Sequence, residues 1–469
     1  MGPLMPARDA TLALVARRFG TAAPTYERHA QAQRHAAETL ARRIAALPLP
    51  PRPRILEIGC GTGLLSQALA ASLGEADWTL TDLSPDMLAQ ARATLTLPGS
   101  ARFAVMDGEH PRGLAGNYDL ICSSLAMQWF SDLNAGLLRL ARLLRPGGWL
   151  ATATLANGSF TEWQQAHEGL GLRAGTPAYP AADSIHAGLL PGSVVAQAHR
   201  QQHRDGLDFV RALKGIGATV PRAGHRPLNA GQLRAVMHRF EQQGAQVTYQ
   251  FAYGQWQRPQ GVFVTGTDTG VGKTLVSAVL ARAWQAHYWK PLQTGLADEP
   301  GDSATVAELA QLPPARRHDP AYALQAPLSP WAAAPLEQVR IDPRRLVPPV
   351  VDGPLVIEGA GGLYVPIDDT HMMLDYIAAL GMPVVLAARS GLGTINHTLL
   401  SLQALRQREI PVLGVVMSGP PSPGNRLAIE RFGQTRILAE IPQLDCVDAA
   451  AVARQAEAIA PLDALLAPR

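Results

Sequence analysis

A lysine and a threonine close the glycine-rich run Gly266-Thr-Asp-Thr-Gly-Val-Gly272-Lys273-Thr274, a pattern suited to holding phosphate. Backbone N–H groups of Gly270, Val271 and Gly272 would cradle the oxygens, Lys273 would reach the outer ones, and the Thr274 hydroxyl would ligate a divalent cation. Five residues separate Gly266 from Gly272, one more than the usual spacing. Acidic partners are available in Asp302 and in Glu358, which ends the apolar run Leu355-Val-Ile357 as a magnesium-side carboxylate would. Far upstream stands a different set, in which Glu57 precedes the evenly spaced Gly59, Gly61 and Gly63. That spacing departs from the dinucleotide fingerprint and favours S-adenosylmethionine over NAD. Small residues let the backbone pass under the ligand, and Glu57 can meet its ammonium group. Asp82, ending the next strand, can accept from both ribose hydroxyls, and Asp107, after the third, could reach the adenine amino group. Two nucleotide-type turns in one chain imply two active sites.

The elements that would position these residues alternate between strand and helix. Helical spacing runs from Ala10 to Ala46 and stops at Pro48 to Pro53. Strands are expected at Ile55–Ile58, Trp78–Thr81, Ala101–Val105, Tyr118–Ser123 and Trp149–Thr154, with helices at Leu64–Leu73, Pro85–Leu95 and Leu133–Leu144. Residues 160–235 read as mobile helices covering the first site. A strand at Val247–Tyr253 would close the sheet, and Gly254–Pro259 reads as a very short linker. The second half has its own series: strand Val262–Thr265, helix Thr274–His287, strands Leu355–Ile357 and Pro383–Ala387, helix Asn396–Gln407 and strand Val412–Met417. The Pro- and Ala-rich segment from Pro313 to Pro354 is expected to be looped, and the short Leu280–Lys290 connection to weaken an edge strand before Lys290. The fold class is therefore α/β with two doubly wound domains, a Rossmann-like one over 1–256 and a P-loop NTPase-like one over 260–469.

Composition fits this division. A chain of 469 residues that is 47% hydrophobic can fill two or three separate cores. A net charge of +3 with scattered arginines gives no nucleic-acid footprint. Cys60, Cys122 and Cys446 show no CxxC spacing, which suits a reducing compartment without structural disulfides or zinc. No apolar run approaches the ~20 residues a membrane span needs, and Arg8, Arg17 and Arg18 are not followed by a signal-type apolar core. A cytoplasmic enzyme with no membrane or nucleic-acid partner is expected.

Residues 14–253 resemble the malonyl-acyl-carrier-protein O-methyltransferases. The resemblance rests on Arg18-Phe-Gly, Tyr26-Glu-Arg-His29, Ile55-Leu-Glu-Ile-Gly-Cys-Gly-Thr-Gly63, Asp82-Leu-Ser-Pro-Asp-Met87, Ser124-Leu-Ala-Met-Gln-Trp129 and Leu213-Lys-Gly-Ile-Gly-Ala218. It implies a class I methyltransferase that uses S-adenosylmethionine to esterify the free carboxylate of a malonyl thioester on acyl carrier protein. That carboxylate is already ionised at neutral pH, so catalysis is mainly in-line positioning and exclusion of water. Tyr26 and His29, one helical turn apart, could line the carboxylate pocket or simply cap the sheet, with Gln128 and Trp129 above the methyl group. Arg18, Arg139, Arg142 and Arg173 are all open as the carboxylate clamp.

Residues 261 to about 445 resemble dethiobiotin synthetases, through the phosphate loop, Lys290-Pro-Leu-Gln-Thr-Gly295, Glu358-Gly-Ala-Gly-Gly362, Gly391-Leu-Gly-Thr-Ile-Asn-His397 and Glu440-Ile-Pro442. The resemblance implies closure of a ureido ring on the diamine 7,8-diaminopelargonate with carbon dioxide, ATP and Mg²⁺. Lys273 and Lys290 would stabilise the phosphoryl transition state and carbamate, Thr269 and Thr294 would contact substrate, and Thr274, Asp302 and Glu358 would hold magnesium. It also implies a homodimer whose helix start at Gly393, Thr394 and Asn396 binds the substrate carboxylate of the partner subunit. Two departures stand out: Gly270 replaces a frequent Glu near the diamine, and Ser418 replaces the Asn that reads adenine.

Together these imply a bifunctional biotin-pathway enzyme. The alternatives are a first half that methylates another small carboxylic acid, and a second half that is an ATPase switch. Such a switch would show an early loop lysine where this chain has Thr267 and Asp268.

Overall fold

The computed structural model describes residues 5–222 and 224–466; the Arg8 side chain lies outside what it describes. Two compact units result, one of residues 1–188 and 192–258, the other of residues 259–469 with 189–191.

The first unit is built on strands β1 (Arg54–Ile58), β2 (Ala76–Asp82), β3 (Gly99–Val105), β4 (Tyr118–Ser124), β5 (Leu144–Leu155), β6 (Gly192–Gln202) and β7 (Gln246–Gln257), in the order β3-β2-β1-β4-β5-β7-β6. β1 to β5 pair in parallel, whereas β7 runs antiparallel to both β5 and β6. Strand order reverses between β1 and β4, and the crevice outside their carboxyl ends is where such a sheet takes a ligand. β4 is buried at six of its seven positions, with Leu120, Ile121 and Cys122 fully buried at its centre, as a strand inside a sheet covered on both faces must be.

Several expectations need correction. The periodic stretch from Ala10 to Ala46 is three helices, Met5–Ala22, Tyr26–His29 and Gln31–Ala45, because Pro24 lacks the donor that continues a helix and Ala30 leaves helical geometry. The segment 160–235 holds helices Thr161–Glu168 and Gly206–Gly215 but also β6, which no pattern announced. β6 is an edge strand with most of its residues exposed, so the apolar alternation that marks a strand is absent. Most of the expected linker is strand: β7 continues to Gln257, and Arg258 still exchanges backbone hydrogen bonds with Gly147 and Gly148.

The second unit has strands β8 (Gly261–Gly266), β9 (His287–Trp289), β10 (Leu292–Gln293), β11 (Arg317–His318), β12 (Tyr322–Ala323), β13 (Leu355–Gly362), β14 (Val384–Arg389), β15 (Val412–Ser418) and β16 (Ile437–Ile441). The main sheet is parallel in the order β11-β9-β13-β8-β14-β15-β16, and β10 pairs with β12. β8 is buried at all six positions, as a strand feeding a phosphate loop must be. The helix after it covers Lys273–Ala283 and stops short of His287, which belongs to β9. β9 is not an edge strand: the two-residue β11 covers its outer side, so the short connection before it costs no pairing. The Pro- and Ala-rich segment likewise contains β11, β12 and the helix Pro330–Leu336.

Candidate active sites

In the first unit one cavity is lined by Glu57, Gly59, Gly61, Asp82 and Asp107, all at the carboxyl ends of β1, β2 and β3. The turn after β1 takes positive φ at each glycine. A Cβ at Gly59 would fall 2.2 Å from that of Ala126, whereas one at Gly61 would meet nothing within 4 Å. Gly59 is bare for the protein, then, and Gly61 for whatever fills the cavity. Gly63 starts the helix Leu64–Leu73 and faces Leu95 instead. Asp82 shapes the turn, its Oδ2 accepting from Gly61 N at 2.9 Å and its Oδ1 from Ser84 N at 2.8 Å. Glu57 is buried, accepts from Ser66 Oγ at 2.6 Å, and has its carboxyl pushed up to about 8, chiefly by burial.

A second cavity shares Phe19, Tyr26, Gln33, Leu125 and Trp129 with the first. Beyond that junction it is an aromatic and aliphatic channel, with Phe160, Trp163, Tyr179, Ile216 and Tyr249 among its walls. Trp129 packs edge-on against Phe19 at 5.8 Å, and its indole N–H is buried without an acceptor among the described residues. Gln128 lines the channel, donating to Leu125 O at 2.6 Å while its own oxygen has no partner among the described residues. Tyr26 is half-buried at the junction; desolvation of its phenol, then Asp82, raises it far above the usual range.

His29 lines neither cavity. It is exposed, and its ring fills the space where a Cβ on Gly215 would stand, 2.3 Å away. Gly217 similarly admits the backbone of Arg18 and Phe19. The glycines of the Lys214-Gly-Ile-Gly217 motif thus let the N-terminal helices close on the channel. None of the four candidate arginines lines either cavity; Arg139 Nε is committed to Glu109 O at 2.6 Å. Glu109, which the sequence did not single out, holds Ser131 N and Asp132 N at 3.0 and 3.1 Å and so fixes the turn that carries Trp129.

In the second unit the helix from Lys273 begins at Gly272, which with Gly270 takes positive φ and turns the loop around the end of β8. Thr274 Oγ1 donates to Asp302 Oδ1 at 2.6 Å and stands 3.3 Å from Glu358 Oε1. Lys290 Nζ bridges the same two carboxylates, 2.5 Å from Asp302 and 2.9 Å from Glu358. Burial works against its charge, but Glu358 and Asp302 outweigh it and hold the ammonium above its usual range. Lys273 is the opposite case: buried, donating to Asp268 O at 3.2 Å, and held below its usual range by burial and by Lys290. Two carboxylates and a hydroxyl form an all-oxygen donor set suited to a hard divalent cation.

The methyltransferase-domain family matches residues 55–148, and the AAA-domain family matches residues 260–451. Over 466 residues the chain is 68% identical to the biotin biosynthesis bifunctional protein BioCD of Bordetella avium, covering 99% of both chains. The chain belongs to this bifunctional biotin-biosynthesis family. It is also 58% identical over 194 residues to the ATP-dependent dethiobiotin synthetase BioD of Paramagnetospirillum magneticum, 41% of this chain and 93% of that one. Against the BioD of Agrobacterium fabrum it is 53% identical over 181 residues, 39% of this chain and 85% of that one. The protein is a two-activity enzyme, a methyltransferase joined to a dethiobiotin synthetase.

Within the synthetase half, Thr269 lines a further cavity with Asp268, Tyr364 and His397. Thr294 follows β10, outside that cavity. Gly393 and Asn396 are exposed at the start of the helix Thr394–Gln407, and Thr394 is buried, its hydroxyl donating to Arg389 O at 2.5 Å. Ser418 Oγ is buried without a partner among the described residues, beside Gly272. Two residues the sequence did not single out support the carboxylates. Tyr288 donates to Glu358 Oε2 at 2.9 Å, and Gln293 Oε1 accepts from Asp302 N at 3.1 Å. Both lie within or beside the Lys290 motif, which was the only available signal.

Proposed function

We propose that the first half methylates the free carboxylate of a malonyl thioester carried by acyl carrier protein. The observation that carries this is the junction itself. A polar-ended cavity with the Gly61 cradle meets an apolar channel at Tyr26 and Trp129, where the indole N–H has no acceptor among the described residues. S-adenosylmethionine, which the cradle, Glu57 and Asp82 fit, supplies the methyl group when bound. Trp129 then orients the acceptor carboxylate, Gln128 and Tyr26 border it, and Phe19 helps to exclude water. An assay of radiolabelled methyl transfer to malonyl-loaded carrier tests this; transfer to a small free acid alone would overturn it.

Glu57 makes the donor site testable by pH. A carboxyl raised to about 8 is largely protonated in the ligand-free protein, so it favours the folded state at low pH. That contribution falls away as pH rises from the unfolded value near 4.5 through about 8. A cationic ligand reverses the preference and ionises it. Calorimetry at pH 7 in buffers of different ionisation heat should show proton release on binding S-adenosylmethionine, with affinity rising up to about pH 8. Glu57→Gln should abolish the proton release, and an unchanged release would sink the role.

For the second half we infer ring closure on 7,8-diaminopelargonate with carbon dioxide. ATP with magnesium supplies the activating phosphoryl group, held by the 266–274 loop and by Thr274, Asp302 and Glu358. Lys290 stabilises carbamate and phosphoryl oxygens, and Thr269 contacts the diamine. The helix start at Gly393, Thr394 and Asn396 receives the partner's substrate carboxylate in a homodimer, a reading supported by exposed Tyr364, Leu392 and Leu400 nearby. A cytoplasmic location accords with the absence, among the described residues, of any helix long and apolar enough to cross a membrane. Gly270 has open space around it but φ of +68°. Gly270→Glu should therefore lower the Michaelis constant for the diamine at a strain cost of roughly 1–2 kcal/mol; an unchanged constant would show that another carboxylate already serves.

A further inference from the structure

Beside the channel lies a polar cavity lined by Asn157, Ser159, Gln164, Glu168, Arg173 and Arg222. Thr176, Pro177 and Tyr179 line both. Two chain segments run from one to the other. Residues 218–221 line the channel and Arg222 the outer cavity; Gly175 lines the channel and Arg173 the outer cavity. Backbone hydrogen bonds fix both segments, from Arg222 N to Gly175 O at 3.0 Å and from Asn157 N to Pro180 O at 2.8 Å.

Among the described residues neither arginine has an ion-pair partner. Arg222 Nε is buried with no acceptor among the described residues, and neither arginine pairs with Glu168, which shares the cavity. A buried guanidinium donor left without an acceptor is unfavourable, so the site favours an anion with oxygen acceptors. That anion is not the reacting carboxylate, because the methyl-transfer junction at Tyr26 and Trp129 is lined by neither arginine.

We propose that Arg173 and Arg222 form a phosphate subsite for the phosphopantetheine arm of the acyl thioester, gripping the arm's outer end while its amide-linked stem lies in the channel. This rests on the malonyl-thioester reading of the first half. The phosphate is common to coenzyme A and to the prosthetic group of a carrier protein, so one subsite serves either source.

The test is steady-state methylation by the full chain of malonyl-phosphopantetheine against malonyl-pantetheine, which differ by that one phosphate. The wild type should show a KM about tenfold or more lower for the phosphorylated thioester, as about 1.5–3 kcal/mol for charge-assisted hydrogen bonds implies. Arg222→Ala and the exposed Arg173→Glu should each erode the difference and together erase it. The KM for malonyl-pantetheine, kcat and the affinity for S-adenosylmethionine should stay unchanged. Malonyl-coenzyme A and malonyl-loaded carrier protein run alongside show which source uses the subsite, by which KM rises in the variants. Equal use of both pantetheine thioesters by the wild type, or equal losses on both in the variants, would overturn the subsite and leave the acceptor reading standing. Methylation of no malonyl thioester would overturn both.

Discussion

Lys273→Ala is expected to reduce dethiobiotin formation by on the order of 10² or more while methyl transfer stays at the wild-type rate. The Lys273 ammonium is buried, donates to the Asp268 carbonyl, and is held below its usual range by burial and by Lys290, which outweigh the nearby carboxylates. A cation so poorly compensated in the resting protein gains most when phosphate oxygens arrive, and most of all when charge builds on them during transfer. Removing it should not destabilise the fold, because no buried anion loses a partner. Lys290→Ala is a useful contrast. It would leave Asp302 and Glu358 facing one another without their bridge, and breaking a buried pair in this way costs about 3–5 kcal/mol. Separate bicarbonate-dependent ATP consumption assays and thermal melts distinguish the two. Lys273→Ala should lose turnover at an unchanged Tm, and Lys290→Ala should lose both. Full turnover in Lys273→Ala, or loss of methyl transfer with it, would refute the assignment, and a wild-type protein with no bicarbonate-dependent ATP consumption would refute the synthetase chemistry as applied here.

What the sequence made legible follows from what kind of element carries each residue. Glu57, Asp82 and Asp107 end or follow successive parallel strands, so the sheet itself brings them to one edge, where the structure places them in one cavity. Lys273 and Thr274 follow β8 and Asp302 starts the helix Asp302–Leu309, but Glu358 lies within β13, which runs on to Gly362 instead of ending at Ile357; Thr274 still meets both carboxylates. Residues whose place depends on irregular segments were less legible. His29 sits one turn from Tyr26, yet the break at Ala30 and the packing against Gly215 turn it out of the cavities. Tyr288 and Glu109 act through buried side-chain hydrogen bonds, which leave no periodicity to read. β6 escaped notice because an exposed edge strand need not alternate. Arg222 lies in a segment with no regular structure, and only the structure shows its Nε buried in the cavity without an acceptor among the described residues.

Gly61→Val should abolish binding of S-adenosylmethionine and of its demethylated product, an affinity loss on the order of 10²-fold or more if the overpacking cost is about 3 kcal/mol. The argument turns on the difference between neighbouring glycines. At Gly59 a side chain would collide with Ala126 and at Gly63 with Leu95, so substitution there damages the protein whether or not a ligand is present. At Gly61 no protein atom lies within 4 Å of a Cβ, so the new isopropyl group would occupy the cavity itself. The remaining cost is backbone strain, since Gly61 has a φ of +56° and Asp82 Oδ2 holds its N–H in place. Gly61→Ala separates these effects, carrying the strain of a Cβ at that φ with little of the bulk. Calorimetry should find binding weakened in Gly61→Ala and undetectable in Gly61→Val, with both variants melting close together and closing the ureido ring at the wild-type rate. A Gly61→Val protein that binds S-adenosylmethionine like the wild type would show that the ligand does not pass over this turn, and tight NAD binding by the wild type would overturn the choice of donor altogether.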